Sequence, residues 1–193
     1  MSDPAVKMEY CFYDQKCPVC KENTLTLIQQ EREIELYGPI LLSTASCRNC
    51  GFRHKDVLPL TIGEPSAVKI RIVKGEDLNL KVIRSSTATV AIPELKTKIA
   101  PGPASEGYIT TVEGMLNRIE EAGRLLLTSL KGAKKEKCER FLKKLNEAKK
   151  GERPFTLVIK DPYGKSAIIS ERAERRKLTK REIENLRKGA LTL

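Results

Sequence analysis

The sequence predicts a mainly β protein with an α insertion: a small cysteine-bounded β unit, then a β-domain interrupted by a helical hairpin. Three observations predict it. Val68-Lys69-Ile70-Arg71-Ile72 alternates apolar and polar residues at period two, and β-rich runs recur as far as Phe155–Ile159, the mark of half-buried strands. Between these stretches the period changes to 3.6, the mark of an amphipathic helix. Four of the six cysteines stand as two C-x2-C pairs within the first 50 residues.

Taken in order, residues 1–16 read as a leader of uncertain structure, and residues 17–60 as the cysteine-bounded unit, with Ile40-Leu41-Leu42-Ser43-Thr44 strand-like. Residues 61–67 read as a linker, because Gly63 and Pro65 break the pattern. The β-domain spans 68–170. Its early strands are Val68–Ile72, Lys81-Val82-Ile83 and Thr87–Ile92, the last ended by Pro93, and Pro101-Gly102-Pro103 is a loop. The hairpin occupies about 110–150. Val112, Met115, Leu116, Ile119, Leu126 and Leu130 trace one helical face, and Thr110 and Glu113 have capping-box spacing. Gly132 stands where this helix should stop. Phe141, Leu142 and Leu145 mark a second helix, closed by Gly151 and Pro154. Strands resume at Phe155–Ile159, turn at Asp161-Pro162-Tyr163-Gly164, and lead out through Ala167-Ile168-Ile169. Residues 171–193 form a basic tail. Thr179 with Glu182, and Leu178 with Ile183, predict a short helix from about Lys180 to Lys188, stopped by Gly189.

The cysteines carry the clearest chemistry. Cys17-Pro18-Val19-Cys20 and Cys47-Arg48-Asn49-Cys50 are separated by 26 residues. Two residues between thiolates let a tight turn aim both sulfurs at one ion, and two such turns complete a tetrahedron around Zn²⁺. Gly51 follows the second pair, where a positive φ is often needed to direct amides toward sulfur. The unit therefore reads as a zinc ribbon with one structural zinc on Cys17, Cys20, Cys47 and Cys50. Four cysteine ligands leave no open position for a catalytic water. Cys11, close to Cys17, could compete as a ligand. Cys138 reads as a small buried hydrophobe on a helix, and His54 as a surface or hydrogen-bonded residue.

Composition restricts the rest. No apolar run approaches the ~18–20 residues that span a bilayer, and the N-terminus lacks the apolar core of a signal peptide. The default compartment is cytoplasmic, where disulfides are rare. With one histidine and no G-x-S-x-G elbow, a Ser/His/Asp triad is poorly supplied. Gly164-Lys165-Ser166 resembles the end of a phosphate-binding P-loop, but Ile159 stands where the motif needs glycine, and Ala167-Ile168-Ile169 looks β rather than helical. The expectation is that the protein is not an enzyme.

The assembled residues resemble the ZPR-type zinc-finger proteins over roughly 15–170. The resemblance rests on Cys17-Pro18-Val19-Cys20 with Cys47-Arg48-Asn49-Cys50-Gly51-Phe52-Arg53, then Glu76-Asp77-Leu78-Asn79, Ser85-Ser86-Thr87-Ala88-Thr89-Val90 and Ile92-Pro93-Glu94-Leu95. It continues through Gly107–Gly114, Pro154-Phe155-Thr156-Leu157 and Asp161-Pro162-Tyr163-Gly164-Lys165-Ser166. It implies a zinc ribbon followed by a double-stranded β-helix carrying a helical hairpin. It also implies a role. Eukaryotic members bind translation elongation factor 1-alpha, favour its GDP-bound state and are implicated in its folding. This chain carries one ribbon-plus-β module where those members carry two, like the archaeal-type form, and its basic tail after Ser170 lies outside the shared pattern.

Two functional readings follow. In the first, the protein chaperones or regulates a translational GTPase of the elongation factor 1-alpha type, with partner contacts at the family-motif positions Asp77, Asn79 and Glu94 and at neighbouring Arg84. Asp and Asn in such positions also commonly cap turns. In the second, it binds RNA or the ribosome. The first 130 residues balance at 16 basic against 16 acidic, whereas the last 63 hold 20 against 9. The whole excess lies in that last third, where Arg172, Arg175, Arg176, Lys177, Lys180 and Arg181 make a dense basic segment that could engage phosphates.

Overall fold

The structure is a computed structural model that describes residues 6–35, 37–61, 63–102 and 105–191. Residues 1–5 of the expected leader, Ile62 of the expected linker and Pro103 of the expected loop lie outside them. Four strands form an N-terminal antiparallel meander: β1 (Val6–Lys16), β2 (Asn23–Ile34), β3 (Gly38–Cys47) and β4 (Arg53–Pro59). Residues 6–16 are thus an edge strand paired along most of β2, and not a separate leader. Neither side of β1 is buried among its described side chains, although Met8, Tyr10 and Phe12 alternate with Glu9 and Cys11 at the strand period.

The second unit is a pair of sheets. The larger has the order β12-β5-β10-β7-β8 and the smaller β11-β6-β9. Their strands are β5 (Ser66–Ile72), β6 (Lys81–Arg84), β7 (Thr89–Ile92), β8 (Thr97–Ile99), β9 (Tyr108–Thr111), β10 (Phe155–Asp161), β11 (Ala167–Ile168) and β12 (Glu174–Lys177). The period-two reading holds in β5, where Val68, Ile70 and Ile72 are buried and Lys69 and Arg71 are exposed. It holds again in β10, where Phe155, Leu157 and Ile159 point inward. These residues meet Val82, Val90, Ile92 and Ile168 in one core.

The hairpin is α1 (Val112–Ser129) and α2 (Ala133–Lys149). Its N-cap is Thr111, whose hydroxyl accepts the Gly114 N–H at 3.0 Å, one residue beyond the Thr110 that the spacing suggested. Residues 108–111 form β9 instead, because Tyr108 to Thr111 pair with β6. Val112, Met115, Leu116 and Ile119 are buried, as their periodicity required, but Leu126 is exposed. Leu126 lies beyond Gly123, the last buried residue of α1. Gly132, at φ +55°, starts α2 after α1 has already ended. In the tail, α3 (Lys180–Leu191) begins with the expected reciprocal bonds between Thr179 and Glu182 but continues through Gly189. Residues 174–177, read as part of a basic tail, are an edge strand of the larger sheet, paired with β5.

Strand β6 joins the two units. Val82 faces the β-domain core, and Ile83, one residue on, packs with Ile34, Ile40 and Val57 of the meander. Asp56 Oδ1 accepts the Gly107 N–H at 3.0 Å, and Tyr37 OH donates to the Lys165 carbonyl at 2.6 Å, across the same boundary. The Asp161–Ser166 turn is held from within. Asp161, 1% exposed, accepts bonds from Ser85 Oγ and Ser166 Oγ at 2.7 Å each, from Tyr163 N at 2.9 Å and from Thr87 Oγ1 at 3.2 Å. Ser166 Oγ in turn accepts the Ser85 N–H. Gly164, at φ +66°, lies against the backbone of Glu64, and a Cβ there would come within 2.0 Å of the Glu64 carbonyl oxygen. Gly51 also has a positive φ, +73°, but a Cβ there meets nothing within 4 Å. Gly51→Ala should therefore cost only the left-handed backbone penalty of about 1–2 kcal/mol, whereas Gly164→Ala should cost clearly more because backbone cannot swing aside. Urea unfolding of the two variants checks this, and equal losses would contradict the packing described.

Candidate functional site

The knuckles between β1 and β2, and between β3 and β4, bring Cys17, Cys20, Cys47 and Cys50 together with all four sulfurs within 4.8 Å of one another. Cys17–Cys50 and Cys20–Cys47 are each 3.7 Å apart. Four sulfurs about 2.3 Å from a tetrahedral zinc would be about 3.8 Å apart, the spacing that these two pairs already have, so the cage suits zinc. The two turns are built alike. The Lys21 N–H donates to the Cys17 carbonyl and the Gly51 N–H to the Cys47 carbonyl, and both residues have positive φ. The sequence pointed to that conformation at Gly51, but Lys21 gives no such signal.

The electrostatics suit a cation. The Thr24 hydroxyl, 3.1 Å from Cys47 Sγ, and the backbone N–H groups of Cys50 and Asn49 bring the Cys47 thiol down to about 6. Backbone at Glu22 and the Asn49 side chain lower Cys20. Cys50 receives the Phe52 N–H, which favours its thiolate, yet desolvation and the neighbouring Cys47, Cys17 and Cys20 push it up to about 11. Like charges this close cannot all ionise on their own, and a divalent ion removes the conflict. The cage is a structural zinc site with all four positions taken by sulfur.

The other cysteines and the histidine stand apart from it. Cys11 is exposed on β1, and Cys138 Sγ lies 3.5 Å from the Gly123 carbonyl between α1 and α2. Cys138 is half-buried, not fully buried as read from sequence. His54 stacks on Phe52 and lies 3.4 Å from a Glu106 carboxylate oxygen. Ser166 is followed by β11, not by a helix, and its hydroxyl belongs to the Asp161 cluster.

The residues read as partner contacts divide. Asp77 is buried; it accepts the Val73 and Lys74 N–H groups and pairs with Arg172. Despite desolvation, those bonds hold its carboxyl below the usual range. Arg84 is buried, donates to the carbonyls of Ala88 and Glu106 and lies over the Tyr108 ring. Glu94 accepts the Thr156 N–H and hydroxyl and pairs with Arg71, though it remains partly exposed. Asn79 is exposed at a cleft of about 830 Å³ between the meander and the smaller sheet. Asp77 and Arg84 are thus committed internally, and only Asn79 and the edge of Glu94 reach solvent.

The basic segment is also largely engaged. Arg172 pairs with Asp77, Arg176 with Glu182 through both of its terminal nitrogens, and Lys177 with Glu64. Arg175 donates to the Ser166 carbonyl at 2.8 Å. Lys180 and Arg181 stay exposed with no ion pair among the described residues. Among the described residues no helix is long and apolar enough to cross a membrane. One surface feature lies outside the expected contacts: Met8, Tyr10, Phe12, Tyr13 and Val19 leave large apolar groups exposed on and beside β1.

A family model described as the ZPR1 jelly-roll domain matches residues 76–190. The match reaches well past Ser170, so the basic segment lies inside the shared domain and not outside it. The chain is 38% identical over 182 residues to a ZPR1-like protein of Methanocaldococcus jannaschii, covering 92% of this chain and 90% of that one. It is 38% identical over 179 residues to a ZPR1-like protein of Pyrococcus horikoshii, covering 90% and 80%. It is 30% identical over 161 residues to the zinc finger chaperone zpr1 of Schizosaccharomyces pombe, covering 79% of this chain and 33% of that one.

Because the meander buries so few apolar groups, zinc should decide whether it folds. Chelation, or Cys47→Ser, should abolish one equivalent of bound zinc and remove the β signal of the ribbon. Metal analysis and circular dichroism test this, and a ribbon left intact without metal would contradict it.

Proposed function

The chain belongs to the ZPR1 family, and on that premise we propose that it is a zinc-stabilised binding protein that chaperones or regulates elongation factor 1-alpha in its GDP-bound form. Its relative in Schizosaccharomyces pombe is named a zinc finger chaperone, and this name carries the reading. The exposed chemistry supports a protein partner. Tyr10, Phe12 and Met8 stand out from β1, and aromatic residues and methionine are enriched at protein interfaces. Asn79 sits at the apolar cleft lined by Ile34, Leu42 and Ile109, which gives the partner a second point of contact. The zinc fixes the strand that presents the aromatics and takes no part in chemistry. The work would be done in the cytoplasm, where a translational GTPase is found.

An RNA-binding role for the basic segment is the weaker reading. Arg172, Arg176 and Lys177 already have carboxylate partners, and each would have to be released before it could bind a phosphate.

Immobilised zinc-loaded protein at about 0.15 M ionic strength, where exposed charges are screened beyond ~8 Å, should retain elongation factor 1-alpha more strongly with GDP than with a GTP analogue. Tyr10→Ser with Phe12→Ser should weaken retention about tenfold or more, as loss of interface anchors does. Retention of RNA in place of the factor, lost at higher salt, would overturn the reading.

A further inference from the structure

We propose that the cavity between the tip of the β2–β3 hairpin and strand β12 binds a small organic anion, with its carboxylate or phosphate seated on Arg175 and Ser66. The cavity is about 670 Å³, within the range of small-molecule sites. It shares no lining residue with the zinc cage or with the neighbouring cleft at Asn79. Tyr37 and Pro59 of the meander form one wall, and β12 with the start of β5 forms the opposite one.

Charge selects the ligand. Arg175, Arg176 and Lys177 line the cavity against a single carboxylate, Glu64, among the described residues. Arg176 and Lys177 are satisfied by Glu182 and Glu64. Arg175 has no carboxylate partner among the described residues. Its one protein bond, to the Ser166 carbonyl at 2.8 Å, orients the guanidinium and leaves most of its five N–H groups available. That is the state of an arginine prepared for a forked bond to an oxyanion.

Ser66 is the second, independent observation. It lines the cavity, is only 3% exposed, and its hydroxyl has no hydrogen-bond partner. A buried hydroxyl is nearly always bonded, so one left unbonded among the described residues, two positions along the ladder from the Arg175–Val68 pair, marks a place where an acceptor fits. The remaining lining is mixed, with Val68, Ile168 and Ala173 apolar and Thr61 and Ser170 adding hydroxyls. The pocket therefore suits an anionic head on a compact, partly apolar body. This combination is common in binding sites, where a few polar groups orient a ligand held by apolar contact.

The test uses the zinc-loaded full chain with phenyl phosphate, benzoate and the uncharged benzyl alcohol, at fixed ionic strength, by calorimetry and by NMR amide shifts. Phenyl phosphate or benzoate should saturate, with shifts centred on residues 66 and 173–177, and the stronger of the two identifies the head group. Benzyl alcohol should bind at least tenfold more weakly. Arg175→Met should weaken the preferred anion about tenfold, and Arg175→Lys, which keeps charge but loses the fork, about fivefold. Ser66→Ala should weaken binding several-fold while raising the melting temperature of the ligand-free protein, because it removes an unbonded hydroxyl. A purely structural serine would not show that opposition. If Arg175→Met fails to fold, Ser66→Ala alone decides. The proposal is overturned if neither anion saturates, if benzyl alcohol binds as well, or if the folded variants bind as the parent does.

Discussion

Everything in the β-domain hangs from one carboxylate. Asp161 ends the central strand of the larger sheet at a point that solvent hardly reaches. A lone charge there would be expensive, and the chain prevents that by spending four donors on it. Two of them, Ser85 and Thr87, come from the turn between β6 and β7, which links the smaller sheet to the neighbour of β10 in the larger one. Ser166 and the Tyr163 amide come from the turn that Asp161 itself opens. The two sheets are thereby tied at one end by polar bonds whose geometry is fixed, while the middle is filled by apolar contact that is indifferent to direction. The same turn lets Gly164 reach the backbone at Glu64, so the passage from the ribbon into β5 is set by the same group.

How much of this could be read beforehand depended on how local the cause was. The four zinc ligands were legible because two four-residue turns carry them, whereas the left-handed Lys21 and the Thr24 hydroxyl on Cys47 left no mark. Strands β5 and β10 were legible because one face of each is buried and the other is not. Strand β12 was not, since Glu174-Arg175-Arg176-Lys177 is exposed along its length and pairs by backbone alone. Strand β9 was lost because Tyr108–Thr111 runs straight into α1, and a four-residue run has too few positions to declare a period. The family motifs were recognised as blocks, but the work done by Asp77 and Arg84 became visible only with their burial. Long-range pairs such as Arg172 with Asp77 leave no mark on either neighbourhood of the chain.

The charge asymmetry teaches a related lesson. The excess of lysine and arginine in the last third suggested a solvated, phosphate-seeking tail. Folding pairs part of the C-terminal segment's charge instead. Glu64, Asp77 and Glu182 come from three separate stretches and meet three of the cations. Lys160 on β10 joins Arg176 on Glu182, holding that carboxyl far below its ordinary range and pinning α3 to the sheet. Net charge is a property of composition, whereas available charge is a property of topology.

Strand β6 carries a consequence for ancestry. With Val82 turned to one core and Ile83 to the other, it is a party wall, finished on both sides by different neighbours. Remove the ribbon and Ile83 is left facing water; remove the sheets and Ile40 and Val57 are left bare. Neither half is a tenant that can leave. In genomic terms the smallest piece that recombination could transplant intact is the ribbon together with its sheets, and any larger architecture drawn from this stock would have to duplicate both at once.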